Sequence, residues 1–255
     1  MNKRILFSDF DGTLYVNCAV SQANREAVRR WRAAGNLFAM ASGRYVAALR
    51  EHMEAEGVEY DYLLCLNGAE AYDCENHLLF ETPIDIRILP GLFDTFILGD
   101  GWANVCYGER GERVMAEKCS DFNPDHPHYP KSHLATFSRF TQICSGLKDM
   151  AAARAASERI LAQFGDSVST QINGRNLDVN AAGVNKSSGI RRMIDALGIS
   201  SDQVVTIGDN FNDLSMLTAF QGYAVAHAPA EVQRQAHGVV SDVAGLIDLL
   251  LKHGD

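Results

Sequence analysis

The chain has 255 residues and a mass of 28.0 kDa, with 47% hydrophobic and 22% charged residues, enough to bury a sizeable core and unlike a disordered, collagen-like or disulfide-stapled protein. Its formal charge is −9, from 32 acidic against 23 basic residues, and the absence of a long Lys/Arg run disfavours binding to polyanions or lipid surfaces. No apolar stretch approaches the roughly 20 residues of a membrane span, and the four-residue apolar run in MNKRILFSDFDG is too short for a signal peptide. A cytoplasmic protein with neither nucleic acid nor membrane as partner is expected.

In chain order, Ile5 to Ser8 reads as a buried strand that stops at Asp9, Asp11 and Gly12. Ser21 caps a helix carrying Ala23, Ala27 and Trp31, and Gly35 ends it. Leu37 to Ala41 is the next strand. A second helix presents Val46, Leu49 and Met53 and stops at Gly57; a third apolar run, Leu63 to Leu66, closes at Asn67-Gly68. Strand, helix, strand, helix, strand predicts a parallel sheet.

The texture changes over residues 83–180. Pro83 and Pro90 open the stretch, three prolines crowd residues 124–130, and MAAARAASERILAQF is the one strong helix. Two strand-like runs follow, Ser167 to Ile172 and Asn176 to Asn180, joined by Asn173-Gly174-Arg175 as a hairpin. This reads as an α+β insert with 12 acidic and 10 basic residues, so most of the negative charge belongs to the sheet-forming segments 1–82 and 181–255. Beyond it a helix through Ile190, Met193, Ile194 and Leu197 stops at Gly198. Val204 to Ile207 forms a strand running into Gly208-Asp209, then a helix from about Asn212 to Phe220. Two more strand and helix pairs, around Tyr223 and Glu231 and around Val239 and Gly245, finish the chain. Both halves place carboxylates at the C-terminal ends of parallel strands, where open α/β sheets form their ligand crevice.

The six cysteines, Cys119 among them, show no zinc spacing and read as reduced thiols. His126 and His128 form an H-x-H in a Pro-rich stretch, more in keeping with a surface loop than with a metal grip.

The chemistry concentrates in four loops. Asp9 and Asp11, two residues apart after a strand, can face one crevice while Gly12 lets the backbone turn. Such a pair suits a divalent metal, or a nucleophile beside a proton-transfer group; a solvated acidic turn is the alternative. Asp209, ending the second buried strand, would complete a hard-oxygen site of the kind Mg²⁺ favours, with Asp213 one helical turn on to orient a ligand or a lysine. Capping alone explains Asp213 but not the clustering of all four carboxylates. Ser42-Gly43-Arg44 opens a helix after the strand Leu37 to Ala41, an oxyanion grip through a hydroxyl and backbone N–H groups. Lys186 stands at a helix start, where a cation gains nothing from the helix dipole, so an anion or carboxylate partner is implied unless it is a plain surface residue.

These loops, DFDGTL at 9–14, ASGR at 41–44, the lysine of GVNKSSGI at 183–190 and GDNFNDLSM at 208–216, resemble the four ordered motifs of the haloacid dehalogenase (HAD) superfamily of phosphotransferases. Asn67-Gly68-Ala69 and the long insert resemble the Cof-like hydrolases with a C2B-type cap. The resemblance implies a Rossmann-like parallel core (1–82 and 181–255) with an α+β cap (83–180) that selects the substrate and closes over the leaving group. It implies Asp9 as the nucleophile that forms an aspartyl-phosphate and Asp11 as general acid and then base. Phe10 (through its backbone), Ser42, Gly43, Lys186 and Asn212 would hold the phosphoryl oxygens; Asp9, Asp11 and Asp209 would ligate Mg²⁺, with Asp213 in support. Relatives usually carry a small Gly or Asn near the position of His227, which reads as a supporting residue rather than a substrate contact.

The expected activity is Mg²⁺-dependent hydrolysis of small phosphorylated metabolites, plausibly sugar phosphates. A phosphomutase or phosphotransferase using the same aspartyl-phosphate is the alternative within enzymes, and a non-catalytic phosphosugar-binding module the alternative outside them. A dinucleotide-binding domain would need a Gly-rich turn after the first strand, which DFDGTL does not supply. Cap residues Arg175, Asn176 and Asp178 are candidates for the leaving-group contact.

Overall fold

The computed structural model describes residues 3–98, 101–116 and 127–252; Cys119 and His126 lie outside them. The chain divides after Phe80 and again after Val184 into a core unit built from both termini and an inserted unit.

The first core segment runs β1 (Ile5–Ser8), the short strands β2 (Tyr15–Val16) and β3 (Ala19–Val20), α1 (Gln22–Ala33), β4 (Leu37–Ala41), α2 (Val46–Ala55), β5 (Tyr62–Cys65), β6 (Glu70–Asp73) and β7 (Leu78–Glu81). All four residues of β1 are buried, as an apolar run without alternation requires when both faces of a strand are covered. Ser21 caps α1 by accepting the Asn24 N–H, and the helix buries Ala27, Val28 and Trp31 while Arg30 and Arg32 occupy its last turn, the end the dipole favours for cations.

The insert contains α3 (Leu89–Ile97), β8 (Trp102–Tyr107), β9 (Arg110–Met115), β10 (Tyr129–Pro130), β11 (Gln142–Gly146), α4 (Met150–Phe164), β12 (Val168–Asn173) and β13 (Asn176–Ala181). The strands among its described residues lie in the order β10-β9-β8-β11-β13-β12. Leu92, Phe93 and Phe96 of α3 and Ala153, Ala156 and Ile160 of α4 are buried. The segment holds more regular structure than its prolines suggest. Pro90 lies in the first turn of α3, where its missing N–H would have had no partner, so it starts a helix instead of breaking one. The strands β8 and β11 show no clear apolar pattern in the sequence, because their buried residues include Ala103, Cys106 and Gln142.

The chain returns to the core through α5 (Lys186–Leu197), β14 (Val204–Gly208), α6 (Leu214–Ala219), β15 (Gln221–Val225), α7 (Ala230–Gln235), β16 (Gly238–Val240) and α8 (Val243–Lys252). The core sheet has the order β16-β15-β14-β1-β4-β5-β6-β7. It is parallel from β16 through β5, and β6 then runs antiparallel to β5. This is the expected α/β core with an α+β insert, extended at one edge by the unanticipated β6 and β7. No helix among the described residues is long and apolar enough to cross a membrane.

Two features of this sheet place the site. Ser8, the last residue of β1, is in register with Ile207 of β14 on one side and Met40 of β4 on the other. The loops after all three strands therefore leave the same edge, at the point where the strand order reverses direction. Next, the Asn67-Gly68 turn meets the first turn of α5 backbone to backbone. Gly68 has φ +102°, and a Cβ there would stand 2.4 Å from the Asn185 carbonyl oxygen; a Cβ on Gly189 would stand 2.6 Å from Gly68 Cα. Only glycine permits this approach, which sets the start of α5 and hence Lys186.

Replacing Gly189 by alanine separates this contact from helix propensity. Propensity alone would stabilise the protein by about 1 kcal/mol, whereas overlap with backbone atoms costs about 1–3 kcal/mol. A net loss of stability is expected in urea unfolding, and a stabilised variant would contradict the contact.

Candidate active site

The site begins where β1 ends. The Asp9 N–H donates to the Ile207 carbonyl at 2.9 Å, continuing the strand ladder by one residue, and Asp9 is almost wholly buried. The Asp9 carboxylate accepts from Lys186 Nζ at 2.6 Å, and the same ammonium reaches Asp213 Oδ1 at 2.5 Å. Lys186 is 1% exposed. A reciprocal capping box fixes the start of its helix: Asn185 Oδ1 accepts the Ser188 N–H at 3.0 Å and Ser188 Oγ accepts the Asn185 N–H at 3.0 Å.

Asp213 is fully buried and both its oxygens are hydrogen-bonded. Its other oxygen, Oδ2, accepts the backbone N–H groups of Asp209 (3.0 Å) and Asn210 (3.1 Å), folding the loop after β14 around itself. Asp209 Oδ1 accepts from Thr13 Oγ1 at 3.1 Å. Asp9, Asp209 and Asp213 each offer a carboxylate oxygen, and these oxygens lie within 4.8 Å of one another.

Burial acts first on these groups. Desolvation pushes the Asp9 carboxyl well above the ordinary carboxylate range, and the charge of Asp213 adds to this against the pull of Lys186. Asp209 is raised by burial and then by Asp213, partly offset by the Thr13 hydrogen bond. For Lys186, desolvation pulls downward, but the charges of Asp213 and Asp9 and its hydrogen bonds to both outweigh it, so the ammonium is held above its usual range.

The remaining predicted residues divide. Asp11 stands apart from the three-carboxylate cluster: its carboxylate pairs with Arg44, whose Nε and Nη2 donate to Oδ2 and Oδ1, each at 2.8 Å. Phe10 is buried and stacks on Tyr15 with ring centroids 5.0 Å apart, while the Arg44 guanidinium lies 5.2 Å over its ring. Ser42 is buried after β4, and its hydroxyl accepts the Arg44 N–H at 3.2 Å; Gly43 follows, half-buried. Asn212 is half-buried, and its Oδ1 is enclosed with no hydrogen-bond partner among the described residues. His227 Nε2 meets the Gly12 carbonyl at 2.7 Å.

Sequence reasoning gave no role to Thr13 or Arg44, although both stand inside the motifs DFDGTL and ASGR. Their proximity to the carboxylates follows from strand order, which the sequence does not display. Arg44 also changes the charge balance. With Asp11 neutralised by Arg44, the three clustered carboxylates and Lys186 leave two formal negative charges, the deficit one divalent cation removes. An all-oxygen donor set of this kind fits a hard cation such as Mg²⁺.

A parallel α/β sheet with acidic loops gathered at its switch point defines a class of ligand-handling enzymes. The haloacid dehalogenase-like hydrolase family model matches residues 6–244, and the chain belongs to that family; with its aspartate cluster it is a phosphohydrolase. A pyridoxal phosphate phosphatase of Escherichia coli is 24% identical over 259 residues, covering 95% of this chain and 94% of that protein. Among solved structures, a haloacid dehalogenase-like hydrolase of B. subtilis superposes with a TM-score of 0.82 at 19% identity, covering 98% of this chain and 99% of that one. A HAD subclass IIB sugar phosphatase gives a TM-score of 0.79 at 19% identity over 99% of both chains. At these identities the structures speak to the fold alone.

The raised Asp9 and Asp209 make stability pH-dependent. Between the ordinary carboxylate range and their raised folded values, the folded chain holds more protons than the unfolded one, so metal-free stability falls as pH rises through that window. Lys186, shifted upward, keeps its contribution until pH passes its unfolded value. A divalent cation competes with those carboxyl protons. In scanning calorimetry the rise in melting temperature on adding Mg²⁺ is expected to be larger at about pH 8 than at about pH 5; an equal rise at both would contradict the clustering.

Proposed function

We propose that the protein is a Mg²⁺-dependent phosphatase acting on small phosphorylated metabolites through a phosphoryl group carried on Asp9. The observation that carries this reading is the Lys186 ammonium bridging Asp9 and Asp213 at 2.6 and 2.5 Å beside Asp209. A carboxylate so placed keeps its nucleophilic oxygen in a buried site while the lysine supplies positive charge for the phosphoryl oxygens. Asp9, Asp209 and Asp213 are the carboxylates that fit the ion, which when bound neutralises phosphoryl charge.

In this mechanism an Asp9 oxygen attacks phosphorus as the bond to the leaving oxygen breaks, and Asp11 gives its proton to that oxygen. Water then attacks the phosphorus on Asp9, Asp11 takes the water's proton, and the bond to Asp9 breaks to release phosphate. We assign Asp11 to proton transfer and not to the metal, because its side chain faces Arg44 and not the cluster. Ser42, the Gly43 and Phe10 backbone, Lys186 and Asn212 bind the phosphoryl oxygens. The enclosed, unpaired Asn212 Oδ1 marks a side chain whose polar capacity is not spent on the fold.

The insert, which we read as a C2B-type cap of the Cof-like kind, selects the leaving group. The resemblance to the Cof-like hydrolases makes sugar phosphates the first class to test, and the similarity to a pyridoxal phosphate phosphatase makes pyridoxal phosphate the second.

Purified protein with a panel of phosphomonoesters is expected to release free phosphate in Mg²⁺ and to stop when EDTA is added. Asp9→Asn is expected to lower kcat by about 10³-fold or more. Turnover without metal, or wild-type activity in Asp9→Asn, would sink the reading. Phosphate recovered on a second sugar hydroxyl in place of solution would move it to a phosphotransferase.

A further inference from the structure

The turn that carries the candidate nucleophile closes on itself: the Tyr15 N–H donates to the Phe10 carbonyl at 2.8 Å and the Gly12 N–H to the Tyr15 carbonyl at 3.0 Å. Those bonds shape the turn without anchoring it. Thr13 Oγ1 ties it to Asp209, and Arg44 grips the Asp11 carboxylate while leaving the turn's backbone untouched. A further tether, on the backbone of the turn itself, comes from the loop between β15 and α7, where His227 Nε2 lies 2.7 Å from the carbonyl oxygen of Gly12. The acceptor is a carbonyl, so Nε2 carries the hydrogen and donates it.

Gly12 is held from both sides. It has φ +90°, and a Cβ built on it would stand 2.5 Å from Asp209 Oδ2, so the main chain passes against that carboxylate with no room for a side chain. A cavity of about 380 Å³, lined by Thr13, Leu14, His227, Ser241 and Asp242 among others, borders the turn. Phe10 and Leu14 pack the turn from within, while the side facing His227 adjoins this cavity, so there the backbone is restrained by hydrogen bonds and not by packed side chains. Because Gly12 stands directly against Asp209, a shift of its backbone would change the spacing between the turn that follows Asp9 and the Asp209 carboxylate.

We propose that His227 is a positioning residue of the active site: its Nε2–H, donated to the Gly12 carbonyl, holds the first loop against Asp209 in the arrangement that lets Asp9 and Asp209 share one cation. This rests on the function proposed above and adds to it a residue that touches neither substrate nor ion.

The test is Mg²⁺ titration by calorimetry, alongside phosphomonoester turnover as a function of Mg²⁺, for wild type, His227→Ala, His227→Leu and His227→Gln. Leucine keeps bulk without a donor, and glutamine puts an amide N–H at the reach of the lost Nε2. Loss of one hydrogen bond of this kind predicts about tenfold weaker Mg²⁺ binding in the alanine and leucine variants. Their turnover should recover at high Mg²⁺, and glutamine should bind within about threefold of wild type. Melting temperatures without metal should match wild type, which separates a shifted loop from a damaged fold. The proposal is overturned if alanine and leucine both bind Mg²⁺ within about threefold of wild type, if glutamine is no better than they are, or if all three variants lose metal-free stability together. A wild type that neither binds Mg²⁺ nor turns over would sink the phosphatase reading itself; an active, Mg²⁺-binding wild type with an indifferent alanine variant sinks only the role of His227.

Discussion

The Lys186 ammonium is buried between two carboxylates, and the rest of the site is arranged around that fact. An ammonium 1% exposed loses its hydration, and such a loss is tolerable only where opposite charge and hydrogen-bond acceptors replace the water. Asp9 and Asp213 supply both. The exchange is asymmetric, because one lysine faces a cluster of three carboxylates, so the site keeps a surplus of negative charge in a low-dielectric setting. Burial first, and then that surplus, pushes Asp9 and Asp209 upward. A fold selected for stability alone gains little from such an arrangement; an active site gains a pocket that calls for a divalent cation and an anionic substrate together.

Holding like charges this close requires a rigid frame, and the frame is largely backbone. Parallel strands deliver the loops to one edge of the sheet, but strands fix positions only as far as their last paired residues. Beyond them, Asp213 gathers the loop after β14 through two N–H groups, the Asn185 and Ser188 capping box fixes the origin of α5, and the Gly68 and Gly189 contact sets how near α5 may come. Each device acts on main-chain atoms, whose placement varies less than that of long side chains. Lys186, the one long and flexible member, is immobilised by its two partners.

Much of this was legible in the sequence and part of it could not be. The strands β1, β4, β5 and β14 and the helices α1, α2 and α5 are visible as apolar runs and helical periodicity bounded by Ser21, Gly35, Gly57 and Gly198, because their burial is uniform and their ends carry local chemistry. The edge strands β6 and β7 and most of the insert were not. Leu78 and Leu79 are exposed, so β7 shows no inward pattern, and Pro90 advertises a break where it begins a helix. In the site, carboxylates and lysine announce themselves by residue type and position after a strand. The partnership of Asp11 with Arg44 does not: it depends on β1 and β4 being neighbours, a property of strand order that no window of sequence contains.

That partnership bears on how the two halves of the proposed reaction differ. Arg44 binds Asp11 through both carboxylate oxygens, a fork that matches the ionised group and competes with a carboxylic acid proton for the lone pairs it uses. The arrangement therefore suits the second half, in which the proposed mechanism has Asp11 accept a proton from water. Delivering a proton to a leaving oxygen in the first half needs the acid form, which weakens the charge-assisted fork and favours opening of one of the two Arg44 bonds. Arg44 is anchored independently of Asp11, over the Phe10 ring and beside His52, so it can keep its place while the aspartate turns. The chemistry thus asks for motion of a short, partly exposed side chain, while Asp9, Lys186 and the loops that hold them stay still.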